Sequence, residues 1–201
     1  MSMSDPKIDG GKRTWIIASG CAGAVGAGFV AVPFVSSFQP SERARAAGAA
    51  VEVDIGGIKP GEKLTVEWRG KPVWIVRRTP EQLAELPKVD KELADPNSKR
   101  TNFAETPAFA RNDWRSIKPE YLVVVGICSH LGCSPSDKFV TGAQPSLPDN
   151  WAGGFLCPCH GSTFDMAGRV YKDKPAPDNL EVPPYQYLSD SRLLIGEEKR
   201  A

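Results

Sequence analysis

The chain has 201 residues, a net charge of +1 at neutral pH, 41% hydrophobic residues, 19 glycines and 18 prolines. So even a charge balance leaves no electrostatic footprint for nucleic acid. The apolar and turn-forming content describes one compact, turn-rich domain rather than a disordered chain. Only five cysteines and two histidines are present, so metal or redox chemistry has few residues to use.

In chain order, residues 1–14 are polar and end on Lys12 and Arg13, a positive flank of the kind that keeps an N-terminus on the cytoplasmic side. Residues 15–38 carry no charge over 24 positions. As a helix this run is about 36 Å long, enough to cross a hydrocarbon core of about 30 Å. It exceeds an ordinary secretory h-region, which favours a retained anchor, although Ala44-Arg45-Ala46 has the form of a cleavage site. Gly20, Gly23, Gly26 and Gly28 let partner helices approach closely in lipid. Pro33 predicts a kink near the outer end, and Cys21 is packing filler. Residues 39–50 are polar and then Ala/Gly-rich, and read as a hinge linker to a domain over residues 51–201.

Short strands separated by turns follow: 51–55, 63–68 and 73–77, with turns at Pro60-Gly61 and Arg69-Gly70-Lys71-Pro72. Thr79 caps a short helix to about Leu86, with Pro80 in its first turn. Residues 88–115 suggest no regular element. Strands at 121–127 and 151–156 lead into cysteine-bearing loops. Residues 163–171 read as a hairpin turning at Met166-Ala167-Gly168, and 185–188 pairs with 192–195. The pattern predicts a mainly β fold, a small antiparallel barrel or sandwich behind one N-terminal helix.

Four cysteines and both histidines fall in two runs, Cys128-Ser129-His130-Leu131-Gly132-Cys133 and Cys157-Pro158-Cys159-His160-Gly161-Ser162. Each offers one Cys and one His at metal-gripping spacing plus a second Cys. Two thiolates with two imidazoles suit an iron–sulfur cluster whose irons are differently ligated. A structural zinc site accepts the same atoms, but needs no extra cysteines.

The C-x-H and C-x-x-H boxes resemble those of the Rieske 2Fe–2S family. Together with the export-like flank, the anchor, the linker and a Pro175-Ala176-Pro177 loop, the resemblance spans the chain and points to the membrane-bound branch of ubiquinol–cytochrome c reductases. It implies one 2Fe–2S cluster at a tip subdomain, with Cys128 and Cys157 on one iron, His130 and His160 on the other, and a Cys133–Cys159 disulfide. It further implies that His160 hydrogen-bonds the quinol, Leu131 caps the cluster, Ser162 donates to a bridging sulfide, and Pro175 and Pro177 cover the cluster. High-potential relatives carry a tyrosine where this chain has Phe164, implying a somewhat lower potential, and Lys174 stands where glycine is frequent. The implied role is enzymatic within an oxidoreductase complex. The cluster takes an electron, with a proton, from ubiquinol and passes it to a c-type haem by domain movement. The implied partners are cytochrome b and c-type cytochrome subunits in a dimeric complex, and the bilayer through one helix. The cluster domain is expected on the periplasmic side of the inner membrane after twin-arginine export, for which Lys12 replaces the first arginine. The competing reading is the small subunit of another periplasmic oxidoreductase, such as an arsenite-oxidase type.

Overall fold

The computed structural model describes residues 10–42 and 48–198. Most of the expected cytoplasmic N-terminus lies outside them, as do Ala44-Arg45-Ala46 and the middle of the expected linker. The chain divides into two compact units, residues 1–46 and 47–201.

The first unit is helix α1, Gly10–Ser36, long and apolar enough to cross a membrane. It starts ahead of Lys12 and Arg13 and runs through Pro33. Six glycines make it a poor helix in water. In lipid the backbone has no other partner, and the helix closes its own hydrogen bonds. Thr14 and Ser19 return their hydroxyls to the carbonyls of Gly10 and Trp15, so even the polar side chains are satisfied internally.

The second unit is three small antiparallel sheets. Strands β2 (Lys63–Trp68), β3 (Lys71–Arg77) and β4 (Tyr121–Val125) form one, in that order. Another places β9 (Arg192–Ile195) between β1 (Val51–Asp54) and β8 (Tyr185–Ser189). The last is β5 (Ser136–Lys138), β6 (Gly154–Leu156) and β7 (Thr163–Asp165). Helix α2, Pro80–Glu85, begins at Thr79, whose hydroxyl accepts from the Gln82 N–H while the Gln82 side chain accepts from the Thr79 N–H. That reciprocal cap, with Pro80 in the first turn, sets the start. Single 3-10 turns at Asp90–Glu92 and Ala108–Ala110 break an otherwise irregular stretch.

Strands β3 and β4 pair from Val73↔Val125 to Arg77↔Tyr121 and are buried along their middles, so they read as continuous apolar runs and form the spine of the core. Trp74 on β3 stacks on Phe155 of β6 at 5.1 Å between ring centroids. Lys63 lies over the same indole and pairs with Asp137 of β5 at 2.6 Å. These contacts seat the β5–β6–β7 sheet on the base sheet. At the end of β4, Gly126 N still donates to Pro72 O on β3, while Val125 N donates to Glu181 O outside the sheet. Two residues after Gly126 the chain reaches Cys128.

Candidate metal centre

The first loop, 128–133, leaves β4, and the second, 157–162, joins β6 to β7. Both close with the same two hydrogen bonds. Cys128 N donates to Cys133 O at 2.8 Å and Gly132 N to Cys128 O at 3.1 Å; Cys157 N donates to Ser162 O at 2.8 Å and Gly161 N to Cys157 O at 3.0 Å. Gly132 and Gly161 take φ of 81° and 73° at the same place in each turn, a region that L side chains disfavour. Two copies of one turn therefore face each other, with His130 two residues into the first and His160 three into the second.

The loops bring the two imidazoles together, and Cys157 beside Cys128. The two imidazole rings stand 4.7 Å apart at 85°. Cys128 and Cys157 are buried free thiols belonging to the hydrophobic core. Burial pushes the Cys128 thiol up, and the neighbouring Cys157 adds to this while the His130 N–H and the Ser162 hydroxyl oppose it. A cation bound there displaces that proton. Nδ1 of His130 is buried and meets no hydrogen-bond partner among the described residues. A buried imidazole nitrogen without a partner is costly, and it fits a ligand atom aimed at a metal. Two inward thiols and an orphaned imidazole nitrogen suit a mixed sulfur and nitrogen centre.

Cys133 and Cys159 form a disulfide, with Cα atoms 6.6 Å apart. Their sulfurs and that of Cys157 lie within 4.8 Å of one another, so the bond pins the loops beside the buried thiol. Closing 27 residues stabilises the fold by about 3.5 kcal/mol in the chain-entropy model. Cys133→Ser is expected to lower stability by that order and to make the bound centre labile; thermal melting and the rate of colour loss on warming measure both effects.

The remaining expected residues lie on or near these loops. Ser162 is buried, and its hydroxyl accepts from Ala176 N at 3.0 Å, which anchors the Pro175–Pro177 stretch to the second loop. Phe164 is fully buried on β7, opposite Phe155. Leu131 is 70% exposed at the tip, an apolar side chain offered to solvent or a partner, and His160 is exposed beside the disulfide.

Some contributors carry no sequence signal. Ser129 lies inside the first box, yet its hydroxyl reaches the other side of the site, donating to Asp178 O at 2.6 Å. Three buried arginines grip the turn after β7. Arg78 donates to Met166 O, Arg115 to Ala167 O, and Arg169 to the Asp165 carboxylate. Burial lowers Arg78 and Arg115 to about 10, which leaves both charged at neutral pH. Burial also opposes the charge of Arg169, but Asp165 and then Asp90 outweigh it and hold that guanidinium above its ordinary value. The distances between these residues in sequence hide the cluster they form.

Residues 51–185 match the Rieske 2Fe-2S domain. The chain belongs to the Rieske 2Fe–2S family. Residues 15–41 match the TAT signal of the ubiquinol–cytochrome c reductase Fe–S subunit. The chain is 53% identical over 188 residues to the ubiquinol–cytochrome c reductase iron–sulfur subunit of Allochromatium vinosum, covering 94% of this chain and 89% of that one. It is 41% identical over 181 residues to the Bradyrhizobium diazoefficiens subunit of the same name, covering 90% of each. A solved hyperthermophilic respiratory Complex III chain is similar at 26% identity, with a TM-score of 0.47, over 88% of this chain and 97% of that one. The cofactor of this Rieske chain is a 2Fe–2S cluster, and the buried thiols and the orphaned His130 nitrogen fit it.

Proposed function

We propose that this chain is the electron-transfer subunit of a respiratory quinol–cytochrome c reductase. Cys128, Cys157, His130 and His160 would hold its cluster, the two thiolates as sulfur ligands and the two imidazoles as nitrogen ligands. The observation that carries this reading is the pairing of the two imidazoles, on loops that also carry two buried free thiols. When bound, the cluster supplies a one-electron acceptor whose potential is raised because neutral imidazoles replace two thiolates.

The protein's part is to position and to handle the proton. His160 is exposed, so the ring nitrogen turned away from the metal can meet a quinol oxygen and take its proton. Leu131 fills an apolar contact beside it and excludes water. The Ser162 hydroxyl favours negative charge on the Cys128 sulfur. The Pro175–Pro177 stretch covers the other side, held through Ala176 N. The Cys133–Cys159 disulfide calls for an oxidising compartment, which supports a cluster domain on the periplasmic side with helix α1 as its inner-membrane anchor. The partners follow as cytochrome b and a c-type cytochrome in a dimeric, proton-translocating complex, with ubiquinol as donor and movement of the cluster domain between them.

Turnover in detergent-solubilised membranes tests the reading. Leu131→Asp is expected to keep the cluster's EPR signal and lose quinol–cytochrome c reductase activity. Full burial of a leucine is worth about 1.5–3 kcal/mol, which corresponds to roughly ten- to hundredfold in rate. Unchanged turnover contradicts a docking role for the tip. Phe164→Tyr is expected to raise the midpoint potential, because a hydroxyl donating to a cysteine sulfur favours the more negative reduced state; a redox titration in which the midpoint stays or falls contradicts it.

A further inference from the structure

Asp178 follows directly on the proline stretch, is 3% exposed, and neither of its carboxylate oxygens meets a hydrogen-bond donor among the described residues. A carboxylate buried without donors costs several kcal/mol, and such a group in a native fold asks for a reason. The fold anchors this residue firmly. Its C=O accepts from the Ser129 hydroxyl at 2.6 Å, and its N–H donates to the same oxygen at 3.3 Å. Ser129 stands between Cys128 and His130, so the carboxylate lies on the order of 10 Å or less from the ligand atoms.

The carbonyls around Asp178 carry cations. Arg100 Nη1 donates to Pro177 O at 2.6 Å, and Arg115 Nη2 donates to Leu180 O at 2.7 Å. Neither guanidinium makes an ion pair with Asp178 within 4.0 Å. The other acidic group nearby, Asp95, is already engaged by the N–H groups of Lys99 and Arg100.

We propose that Asp178 carries its negative charge beside the cluster and holds the cluster's potential below the value that the four ligands alone would give. Reduction adds one negative charge to the centre, and a fixed negative charge next to it disfavours that step. The same charge makes the reduced cluster a readier electron donor. This inference rests on the ligand assignment above; were that wrong, the unsubstituted chain itself would lack a Rieske EPR spectrum.

The test is a redox titration of the full chain in detergent, followed by EPR or circular dichroism, for Asp178→Asn, Asp178→Leu and Asp178→Glu. A unit charge on the order of 10 Å away at an effective dielectric of about 20 changes the reduced-to-oxidised ratio about tenfold. That is a midpoint rise of about 59 mV for one electron, expected in the Asn and Leu variants. The Glu variant keeps the charge and is expected to keep the native midpoint. Melting temperature separates this role from a structural one. Removing an unpaired buried charge in favour of a hydrophobic residue is neutral or stabilising, so Asp178→Leu should melt no lower than the native chain. An unchanged or lowered midpoint in both neutral variants overturns the proposal, and so does loss of the cluster in both, which would make Asp178 a structural residue.

Discussion

Cys157→Ser is expected to give a colourless chain with no Rieske EPR signal. Cys157 is 2% exposed and leads directly out of β6, so its sulfur is fixed by the sheet rather than by a mobile loop. No other cysteine can replace it. Cys133 and Cys159 are bonded to each other, and Cys21 lies in helix α1, in the other unit. The fold itself should persist. Burying a hydroxyl in place of the thiol costs about 1–3 kcal/mol, while the Cys133–Cys159 bond and the β3–β4 spine remain. A folded, colourless protein is therefore the outcome, measured by visible absorption alongside far-UV circular dichroism. A native spectrum in this variant would remove Cys157 from the ligand set and place the metal elsewhere.

The second large effect comes from Gly154. A Cβ at this position would stand 1.9 Å from the backbone oxygen of Phe164 and 2.9 Å from Asp165 Cα. Backbone cannot move aside as a flexible side chain can, so Gly154→Ala forces β6 and β7 apart. Those strands are the two stems of the second cluster loop, from Leu156 before Cys157 to Thr163 after Ser162. The expected loss is on the order of 4 kcal/mol, a fall in melting temperature of roughly 8–16 °C for a chain of this size, with the cluster lost well before the fold. Gly57→Ala is the control, since a Cβ there meets nothing within 4 Å. Equal melting temperatures for the two variants would contradict the pairing Gly154↔Asp165.

The chemistry of this protein is more legible in its sequence than its architecture. The ligand boxes, the spare cysteine pair and the anchor announce themselves because each depends on rare residue types at short spacing. The cap at Thr79 and the β8–β9 hairpin are equally local. Strand β5 escapes notice because Ser136-Asp137-Lys138 has no apolar alternation; it is a strand only because Leu156 and Phe155 on β6 pair with it. The stretch expected as a strand from Trp151 instead holds the indole in a loop, donating to Lys138 O at 2.8 Å, and regular pairing starts only at Gly154. The β1–β9 ladder joins Val51 to Ile195 across almost the whole domain, and nothing local specifies that partner. The same holds for the site. Cys128 and His130 are visible in one short run, whereas the Ser129–Asp178 contact and the arginines under the second loop exist only once separated segments meet.

The central claim is that one centre is held by two sulfurs and two imidazole nitrogens. Because the chain contains only two histidines, labelling that residue type alone interrogates both proposed nitrogen ligands. The decisive measurement is pulsed EPR on the reduced full chain, grown with ordinary and with 15N-labelled histidine. Strong couplings from two inequivalent directly bound nitrogens, both converted by the label, are the result that His130 and His160 as iron ligands predict. A reduced cluster without strongly coupled histidine nitrogen, or with only one, would contradict it.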